Sequence, residues 1–370
     1  MKKYLALILA LALCLSLCAC GGSEKSSFGS RKGDKTTPTE PETPKVEDDG
    51  IMKILLIGHS LGNDSSFMFP DIYRNEGGEN LVMGVLYHSG CRVGQHVDYA
   101  RADAAQYAYY EYDISTQDEW LRADCNGYFT PYVPGSANDT YIDDGSIAQT
   151  LKFGISRHDW DLVILQGGLF ESANIKDSYV SSHKMDLQAD IQELRDYVLA
   201  NDCAPGSVPQ FAWNAIWSTP ADRAVRKDGT NQLLDLYCGG DDHNLYLEQT
   251  KVLQEVVEPS FEWAYVFPNG TAIENLKSTK LRDAQIFRDY AHVTDFGRLV
   301  AAYTWYCTLT GTAIEDCTIP AMNHKVLLDS ASRNMGMDLT LTEEQKNILV
   351  EAVSNAIKSP YATIDSQYAQ

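Results

Sequence analysis

Ser60 follows an apolar run that stops abruptly in a Gly-X-Ser turn. Residues 51–57 are apolar almost throughout and predict a buried strand, which Gly58, His59 and Ser60 follow directly. In open α/β proteins, ligands bind in the crevice outside the carboxyl ends of the strands. A serine there is a candidate nucleophile if the chain also supplies a base and oxyanion donors. The alternative is an ordinary turn serine, because strands followed by Gly-X-Ser are common.

Asp289 and His292 are a candidate base with its orienting carboxylate. They stand three residues apart in a predicted loop, ahead of an apolar helix predicted over residues 299–309. At this spacing the carboxylate can hold the imidazole Nδ1–H and leave Nε2 free for Ser60. The alternative is a solvated loop that contains an incidental Asp-x-x-His.

Two further strand ends carry candidate donors for an oxyanion. Gly90 follows a strand predicted over residues 81–87, and its backbone N–H can approach a ligand closely because glycine has no Cβ. Gln166 stands where the strand in residues 160–168 runs into a turn, and it offers a side-chain amide. For Gln166 the alternative is a polar residue that caps a strand end.

Strands alternate with helical stretches, which predicts parallel crossovers and a doubly wound α/β sheet. Residues 95–150 are rich in Tyr, Asp, Ala and turn residues, and we expect helix and irregular loops that cap the sheet. Thr342 and Gln345 form a capping-box pattern for a helix that reaches about residue 357. The remaining predicted elements are strands over residues 209–217 and 263–268 and an amphipathic helix over residues 185–198.

The N-terminus has the pattern of an exported protein. Residues 1–20 combine a short basic start with an apolar core that is too short to span a bilayer, and they end in a lipobox-like sequence that predicts lipidation of Cys20. The alternative is an ordinary secretory signal. Residues 21–50 contain almost no large apolar side chains and predict a flexible tether, and residues 51–370 are predicted to form a single domain.

Charge and cysteine usage argue against several classes of partner. The formal net charge of −21 repels nucleic acid and anionic lipid surfaces, so we expect a membrane contact only through the N-terminal lipid. The six cysteines beyond residue 50 show no Cys-x-x-Cys pair and no nearby histidine at ligand spacing, so no metal or other cofactor is predicted.

Four segments resemble, in chain order, the blocks of the SGNH (GDSL-like) hydrolase superfamily. Gly58-His59-Ser60 resembles the nucleophile block, in which the superfamily more often has Gly-Asp-Ser or Gly-Asn-Ser. The other three are His88-Ser89-Gly90-Cys91, Leu165-Gln166-Gly167-Gly168 and Asp289-Tyr290-Ala291-His292. The likeness extends from about residue 51 to 312. It is greatest to the branch with Gln-Gly in the third block, which includes sialate O-acetylesterase-like carbohydrate esterases and uncharacterised bacterial exported proteins.

This resemblance implies a flavodoxin-like α/β/α sandwich with a central parallel sheet. It further implies that Ser60 attacks an ester carbonyl, that His292 is the base and that Asp289 orients it. The oxyanion would meet the backbone N–H groups of Ser60 and Gly90 and the side chain of Gln166. The expected activity is removal of acetyl or other short acyl groups from a small-molecule or glycan ester, without a cofactor.

The sequence is also compatible with roles for other residues and with other functions. His59, His96, His183 and His243 could contact the site, although each is more often a structural or surface histidine. The aromatic cluster could stack on sugar rings or pack in the core; its members are Tyr107, Tyr109, Tyr110, Tyr112 and Trp120. A lipase- or thioesterase-like hydrolase and an inactive glycan- or solute-binding lipoprotein are the alternative functions.

Overall fold

A computed structural model gives the structure of the chain. It describes residues 49–117, 119–132, 146–174, 186–202, 208–220, 230–281, 283–319, 322–323, 338–339 and 341–369. The predicted signal peptide, the predicted lipidation site Cys20, nearly all of the predicted tether, His183 and Cys203 lie outside these residues. None of the helices in the described ranges is long and apolar enough to span a bilayer.

Eight strands form one sheet in the order β5-β4-β3-β2-β1-β6-β7-β8. Their bounds are β1 Met52–Gly58, β2 Leu81–Tyr87, β3 Ala108–Asp113, β4 Trp120–Ala123, β5 Phe129–Tyr132, β6 Leu162–Leu165, β7 Gln210–Asn214 and β8 Tyr265–Phe267. The five neighbours from β2 to β8 run parallel, in the order 2-1-3-4-5 of the flavodoxin-like folds. The predicted α/β class and parallel sheet are therefore confirmed.

The prediction for residues 95–150 is wrong in part. The segment begins with a helix, but β3, β4 and β5 then add an antiparallel extension to the sheet beside β2. Tyr110 and Tyr112 face one core and Tyr109 faces the other. Because β3 is buried on both faces by tyrosines instead of aliphatic residues, its sequence has the polarity of a loop.

Helices cover both faces of the sheet and make it a three-layer sandwich. Ile54 and Leu56 of β1 lie in one apolar core, whereas Leu55 and Ile57 lie in the core on the opposite face. The helices are α1 Ser60–Ser66, α2 Phe69–Asn75, α3 Val93–Ala102, α4 Leu151–Ile155, α5 Leu187–Asn201, α6 Thr230–Cys238, α7 Asp242–Val252, α8 Asn269–Lys277, α9 Asp283–Ile286, α10 Asp295–Thr310 and α11 Glu343–Lys358. A two-stranded ribbon is formed by β9 Met322–Asn323 and β10 Asp338–Leu339.

The predicted helices are found close to their expected bounds. Thr342 caps α11, its side chain accepts the Gln345 backbone N–H, and Gln345 Oε1 accepts the Thr342 N–H, which confirms the capping box. α10 begins four residues earlier than predicted, directly after the loop that contains Asp289 and His292.

Candidate active site

Ser60 is the first residue of α1, directly beyond the carboxyl end of β1. β2 and β6 lie parallel to β1 on either side, and Ile57 is in register with Leu86 and Leu165. The three strand ends therefore lie side by side around the turn that carries Ser60. The order β2-β1-β6 is also where the chain order of the parallel strands reverses, which is the usual ligand-binding place in such sheets.

His59 closes this turn with both of its ring nitrogens. Nε2 lies 3.0 Å from the Gly167 carbonyl oxygen and donates to it, since a carbonyl only accepts. Nδ1 then accepts the Leu61 backbone N–H at 3.4 Å and caps α1. Burial lowers the pKa of His59 to about 4, so the ring is neutral at neutral pH. His59 thus links the turns after β1 and β6, and its nitrogens are already engaged.

Asp289, His292 and Ser60 form one hydrogen-bonded series. Nε2 of His292 is 2.7 Å from Oγ of Ser60, across 232 residues of sequence. Nδ1 of His292 is 2.8 Å from Oδ2 and 3.0 Å from Oδ1 of Asp289. Oδ1 of Asp289 also accepts the backbone N–H groups of Ala291 at 2.9 Å and His292 at 2.8 Å. This arrangement can activate a serine hydroxyl through an oriented imidazole.

The hydrogen bonds of Asp289 keep its carboxylate in the charged form. Burial alone would raise its pKa, but the His292 ring and the two backbone N–H groups outweigh burial and hold the pKa well below its ordinary value. A charged carboxylate favours the tautomer in which Nδ1 of His292 carries the hydrogen. The lone pair of Nε2 then faces the Ser60 hydroxyl.

A buried carboxylate on α1 supports the loop that carries His292. Oδ2 of Asp64 accepts the Val293 backbone N–H at 3.1 Å. Oδ1 accepts from Arg288 Nη1 at 3.1 Å and from Arg298 Nε at 2.8 Å. Burial would raise the pKa of Asp64, but the two guanidinium groups lower it below its ordinary value. This ion-pair cluster connects the helix of Ser60 to the loop of His292.

The segment that follows β7 holds the same loop from the other side. Trp217 Nε1 donates to the Ala291 carbonyl at 2.7 Å, and the Thr219 hydroxyl donates to the Tyr290 carbonyl. Both donors are buried. The backbone on the amino-terminal side of His292 is therefore fixed by side chains that are remote in sequence.

Gly90 stands two residues after His88, which is hydrogen-bonded to the nucleophile turn. The His88 backbone N–H donates to the Gly58 carbonyl at 3.1 Å, which joins the turns after β2 and β1. Gly90 itself is exposed and has a φ of +60°, in the left-handed region that favours glycine. The space around it is open, since a Cβ there would have no neighbour within 4 Å.

Gln166 lies beneath the nucleophile turn and is only 1 % exposed. Its Oε1 accepts from Asn214 Nδ2 at 3.2 Å, whereas its Nε2 is covered from solvent and has no hydrogen-bond partner in the described part of the chain. α1 passes directly over this amide, because a Cβ on Gly62 would lie 2.4 Å from Oε1. The amide is thus adjacent to α1, and its donor nitrogen lacks an acceptor.

Several other predicted site residues have a different place in the structure. All five aromatic residues of the Tyr107–Trp120 cluster are at most 3 % exposed, so sugar stacking on them is excluded and core packing is the correct reading. His96 is fully buried, and its Nδ1 is 2.8 Å from the Tyr107 hydroxyl. Burial lowers its pKa to about 3. His243 instead lies 3.0 Å from Glu274, which is on α8.

Sequence reasoning missed two buried carboxylates, Asp64 and Glu171. Asp64 stands four residues after Ser60, a spacing that places both on one side of a helix. Glu171 stands five residues after Gln166, in a short 3₁₀ turn. Their position a few residues after a predicted strand end is the signal in the sequence that could have indicated both acids. In the described ranges no group of three or more His, Cys, Asp or Glu side chains could hold a metal ion, and the five described cysteines are free thiols.

Comparison with known proteins shows the fold and no closer relationship. No family profile matches the sequence, and no curated protein matches it. The chain is similar to the crystal structure of a DUF4886 family protein from Bacteroides uniformis, with a TM-score of 0.62 and 18% identity over 86% of this chain and 100% of that one. It also matches LAE5, an α/β hydrolase from the metagenome of Lake Arreo, at a TM-score of 0.40 and 11% identity over 70% of this chain and 95% of that one. It also matches Axe2, an acetylxylan esterase from Geobacillus stearothermophilus, at a TM-score of 0.38 and 10% identity over 70% of this chain and 94% of that one.

Proposed function

We propose that this protein is a serine esterase of the SGNH type. The observation that carries the proposal is the 2.7 Å contact between His292 Nε2 and Ser60 Oγ, with Asp289 on the other nitrogen of the ring. The position of Ser60 at the carboxyl end of β1 and the chain-order match of four sequence blocks support it.

The proposed reaction proceeds in two halves. Ser60 Oγ attacks the ester carbonyl carbon while His292 Nε2 takes the hydroxyl proton, and the resulting oxyanion collapses as Nε2 returns that proton to the leaving alcohol. Water then attacks the acyl-serine while His292 Nε2 takes its proton, and the acyl–Oγ bond breaks as Nε2 gives that proton to Ser60 Oγ and the carboxylic acid is released. Asp289 stabilises the imidazolium that forms in each half.

The proposed oxyanion donors are the backbone N–H groups of Ser60 and Gly90 and the Nε2 amide of Gln166. A donor that is buried without a partner is costly, because it loses its hydrogen bonds to water on folding. Among the described residues Gln166 Nε2 is such a donor, and Oε1 of the same amide lies directly under α1. Acceptance of this N–H by a developing oxyanion would recover the missing hydrogen bond only during the reaction.

The proposed substrate is an acetyl or other short acyl ester, with a carbohydrate as the alcohol. The support for the carbohydrate is the likeness of the third block to carbohydrate esterases, together with the predicted export. We also propose that the chain is a lipoprotein attached to the outer face of the cell membrane through Cys20. The support is the lipobox-like sequence and the polar segment that follows it.

Ester hydrolysis by the protein and its variants tests the function. We expect hydrolysis of p-nitrophenyl acetate and release of acetate from acetylated xylan. Ser60→Ala and His292→Ala should each abolish both activities. Ser66→Ala is the matched control, because Ser66 lies on the same helix and its hydroxyl has no partner in the described residues. Activity that survives in Ser60→Ala would overturn the proposal.

The same assay separates the alternative functions. A lipase- or thioesterase-like enzyme would prefer long-chain p-nitrophenyl esters or thioesters over the acetyl ester. An inactive binding protein would bind glycans but hydrolyse none of the esters, and Ser60 would not react with a fluorophosphonate. The intact contact between serine, imidazole and carboxylate favours catalysis over a binding role.

A further inference from the structure

Glu171 is a fully buried carboxylate that the proposed reaction does not use directly. Its side chain has no exposed surface. One of its oxygens, Oε2, accepts two backbone N–H groups, from Val93 at 3.0 Å and from Gly168 at 2.9 Å. These two donors are 75 residues apart in sequence. A single oxygen atom therefore joins two separate turns of the chain.

These are the two turns that carry proposed oxyanion donors. Val93 is the first residue of α3 and stands three residues after Gly90. Gly168 stands two residues after Gln166, in the turn that follows β6. Glu171 Oε2 therefore connects the segment that follows Gly90 to the segment that follows Gln166.

A charged acceptor suits this position for two physical reasons. α3 is ten residues long, and the N-terminus of a helix favours a negative charge through its unpaired N–H groups and its dipole. Hydrogen bonds from N–H to a carboxylate are also shorter and stronger than bonds to a neutral oxygen. Loss of this acceptor would leave two buried N–H groups without their partner.

The turn around Glu171 leaves the carboxylate little freedom. The Ser172 N–H donates to the Gly168 carbonyl at 2.9 Å, and the Asn174 N–H donates to the Glu171 carbonyl at 2.7 Å. A Cβ on Gly168 would lie 3.0 Å from Arg92 Cγ, so the turn already packs against the residue that precedes α3. The carboxylate is thus presented to both donors from a compact backbone.

We infer that Glu171 is a positioning residue that sets the separation of the Gly90 N–H and the Gln166 amide, and so the geometry of the oxyanion hole. It acts through the two turns and does not touch the substrate. The inference rests on the proposed esterase function. Its consequence is that loss of the carboxylate weakens binding of the tetrahedral transition state more than binding of the planar ester.

The test compares Glu171→Gln and Glu171→Ala in three measurements. We expect kcat on p-nitrophenyl acetate to fall about 10-fold in Glu171→Gln, which keeps one accepting oxygen, and about 100-fold in Glu171→Ala, with KM changed by less than about threefold. The inhibition constant of phenylboronic acid, which forms a tetrahedral adduct with an active-site serine, should rise by the factor by which kcat/KM falls. Titration of Ser60 with a fluorophosphonate corrects each value for the active fraction.

A merely structural role gives a different result. Partial unfolding would lower the titrated fraction and leave the inhibition constant of the remaining sites unchanged. If Glu171→Ala does not fold, Glu171→Gln carries the test. The control is Glu111→Gln, which changes a largely buried carboxylate on β3. It should leave kcat/KM and the inhibition constant of phenylboronic acid unchanged.

The failure of this inference differs from the failure of the proposed function. If Ser60→Ala abolishes hydrolysis and Glu171→Gln keeps the original kcat and boronate affinity, only the role of Glu171 is overturned. If Ser60→Ala keeps its activity, the esterase site itself is wrong.

Discussion

Asp64 accepts the backbone N–H of Val293 at 3.1 Å, so the helix that begins with Ser60 also holds the residue after His292. The same carboxylate binds the guanidinium group of Arg288, which precedes His292, and that of Arg298 on α10. The two halves of the site, 229 residues apart, are therefore joined by a buried ion pair in addition to the contact between His292 and Ser60.

Asp64→Asn should lower both stability and activity. The substitution removes the buried negative charge that Arg288 and Arg298 share, while Arg298 keeps its contact with Asp295, and we expect the free energy of unfolding to fall by about 3 kcal/mol. The loop of His292 should loosen, and kcat on p-nitrophenyl acetate should fall with it. Urea unfolding and steady-state kinetics measure the two effects.

The control for Asp64→Asn is Glu193→Gln, which breaks an ion pair with Arg101 in which both side chains are about half exposed. Exposed pairs contribute little to stability because water and salt screen them, so this variant should remain close to the original stability. Equal losses in the two variants would contradict the role given to Asp64.

The parallel part of the fold could be predicted from the sequence because its strands are buried on both faces. Such strands are continuous apolar runs that end in turn residues, as residues 51–57 show. The antiparallel extension could not be predicted in the same way. Tyr109 and Tyr112 of β3 are buried on opposite faces, and tyrosines beside acidic residues give no apolar run.

The site could be predicted as far as local motifs define it. Asp289 and His292 are three residues apart, so their contact is visible in the sequence. The bonds of Asp64 to Val293 and of Glu171 to Val93 cross 229 and 78 residues. No spacing rule shows such contacts, because they depend on which strand ends become neighbours in the sheet.

Gln166→Glu should reduce catalysis, and burial of its carboxylate should also lower the stability of the fold. A glutamate keeps an oxygen that can accept from Asn214, but it replaces the donor Nε2 with a second acceptor. An oxyanion would then lose one donor and face a negative charge, so we expect kcat on p-nitrophenyl acetate to fall about 10²–10³-fold. Gln192→Glu, whose amide donates to the Ser260 carbonyl, is the control outside the site. A loss below about threefold in Gln166→Glu would remove Gln166 from the oxyanion hole.

Asp289→Asn tests whether the site needs all three side chains. An asparagine can still accept the backbone N–H groups of Ala291 and His292, but its Nδ2 would donate to Nδ1 of His292. The hydrogen of the ring then moves to Nε2, which can no longer accept the proton of Ser60. We expect kcat to fall about 10³–10⁴-fold while the thermal stability changes little. A loss of less than tenfold would indicate that Ser60 and His292 work as a dyad.

His59→Asn should change how the stability of the protein depends on pH. The pKa of the buried His59 is about 4, against 6.5 for an ordinary histidine. Between these values the unfolded chain binds a proton that the folded chain does not bind, so stability is lost as the pH falls from 6.5 to 4. This group contributes a slope of about 1.4 kcal/mol per pH unit in that window. His96, with a pKa of about 3, adds a slope of the same sign.

Urea unfolding between pH 4 and 6.5 measures this slope. His59→Asn should remove one of the two histidine contributions, while the asparagine still caps α1. The lowered pKa values of Asp64 and Asp289 give slopes of stability against pH of the same sign. These carboxylates lose their stabilising effect only at lower pH, as the pH falls toward their pKa values in the folded protein. Ser66→Ala changes the same helix without a titratable group and should keep the full slope. An unchanged slope in His59→Asn would mean that His59 is protonated in the folded protein. Protonation is compatible with the bond from Nε2 to the Gly167 carbonyl, but it would remove the Nδ1 lone pair that accepts the Leu61 N–H.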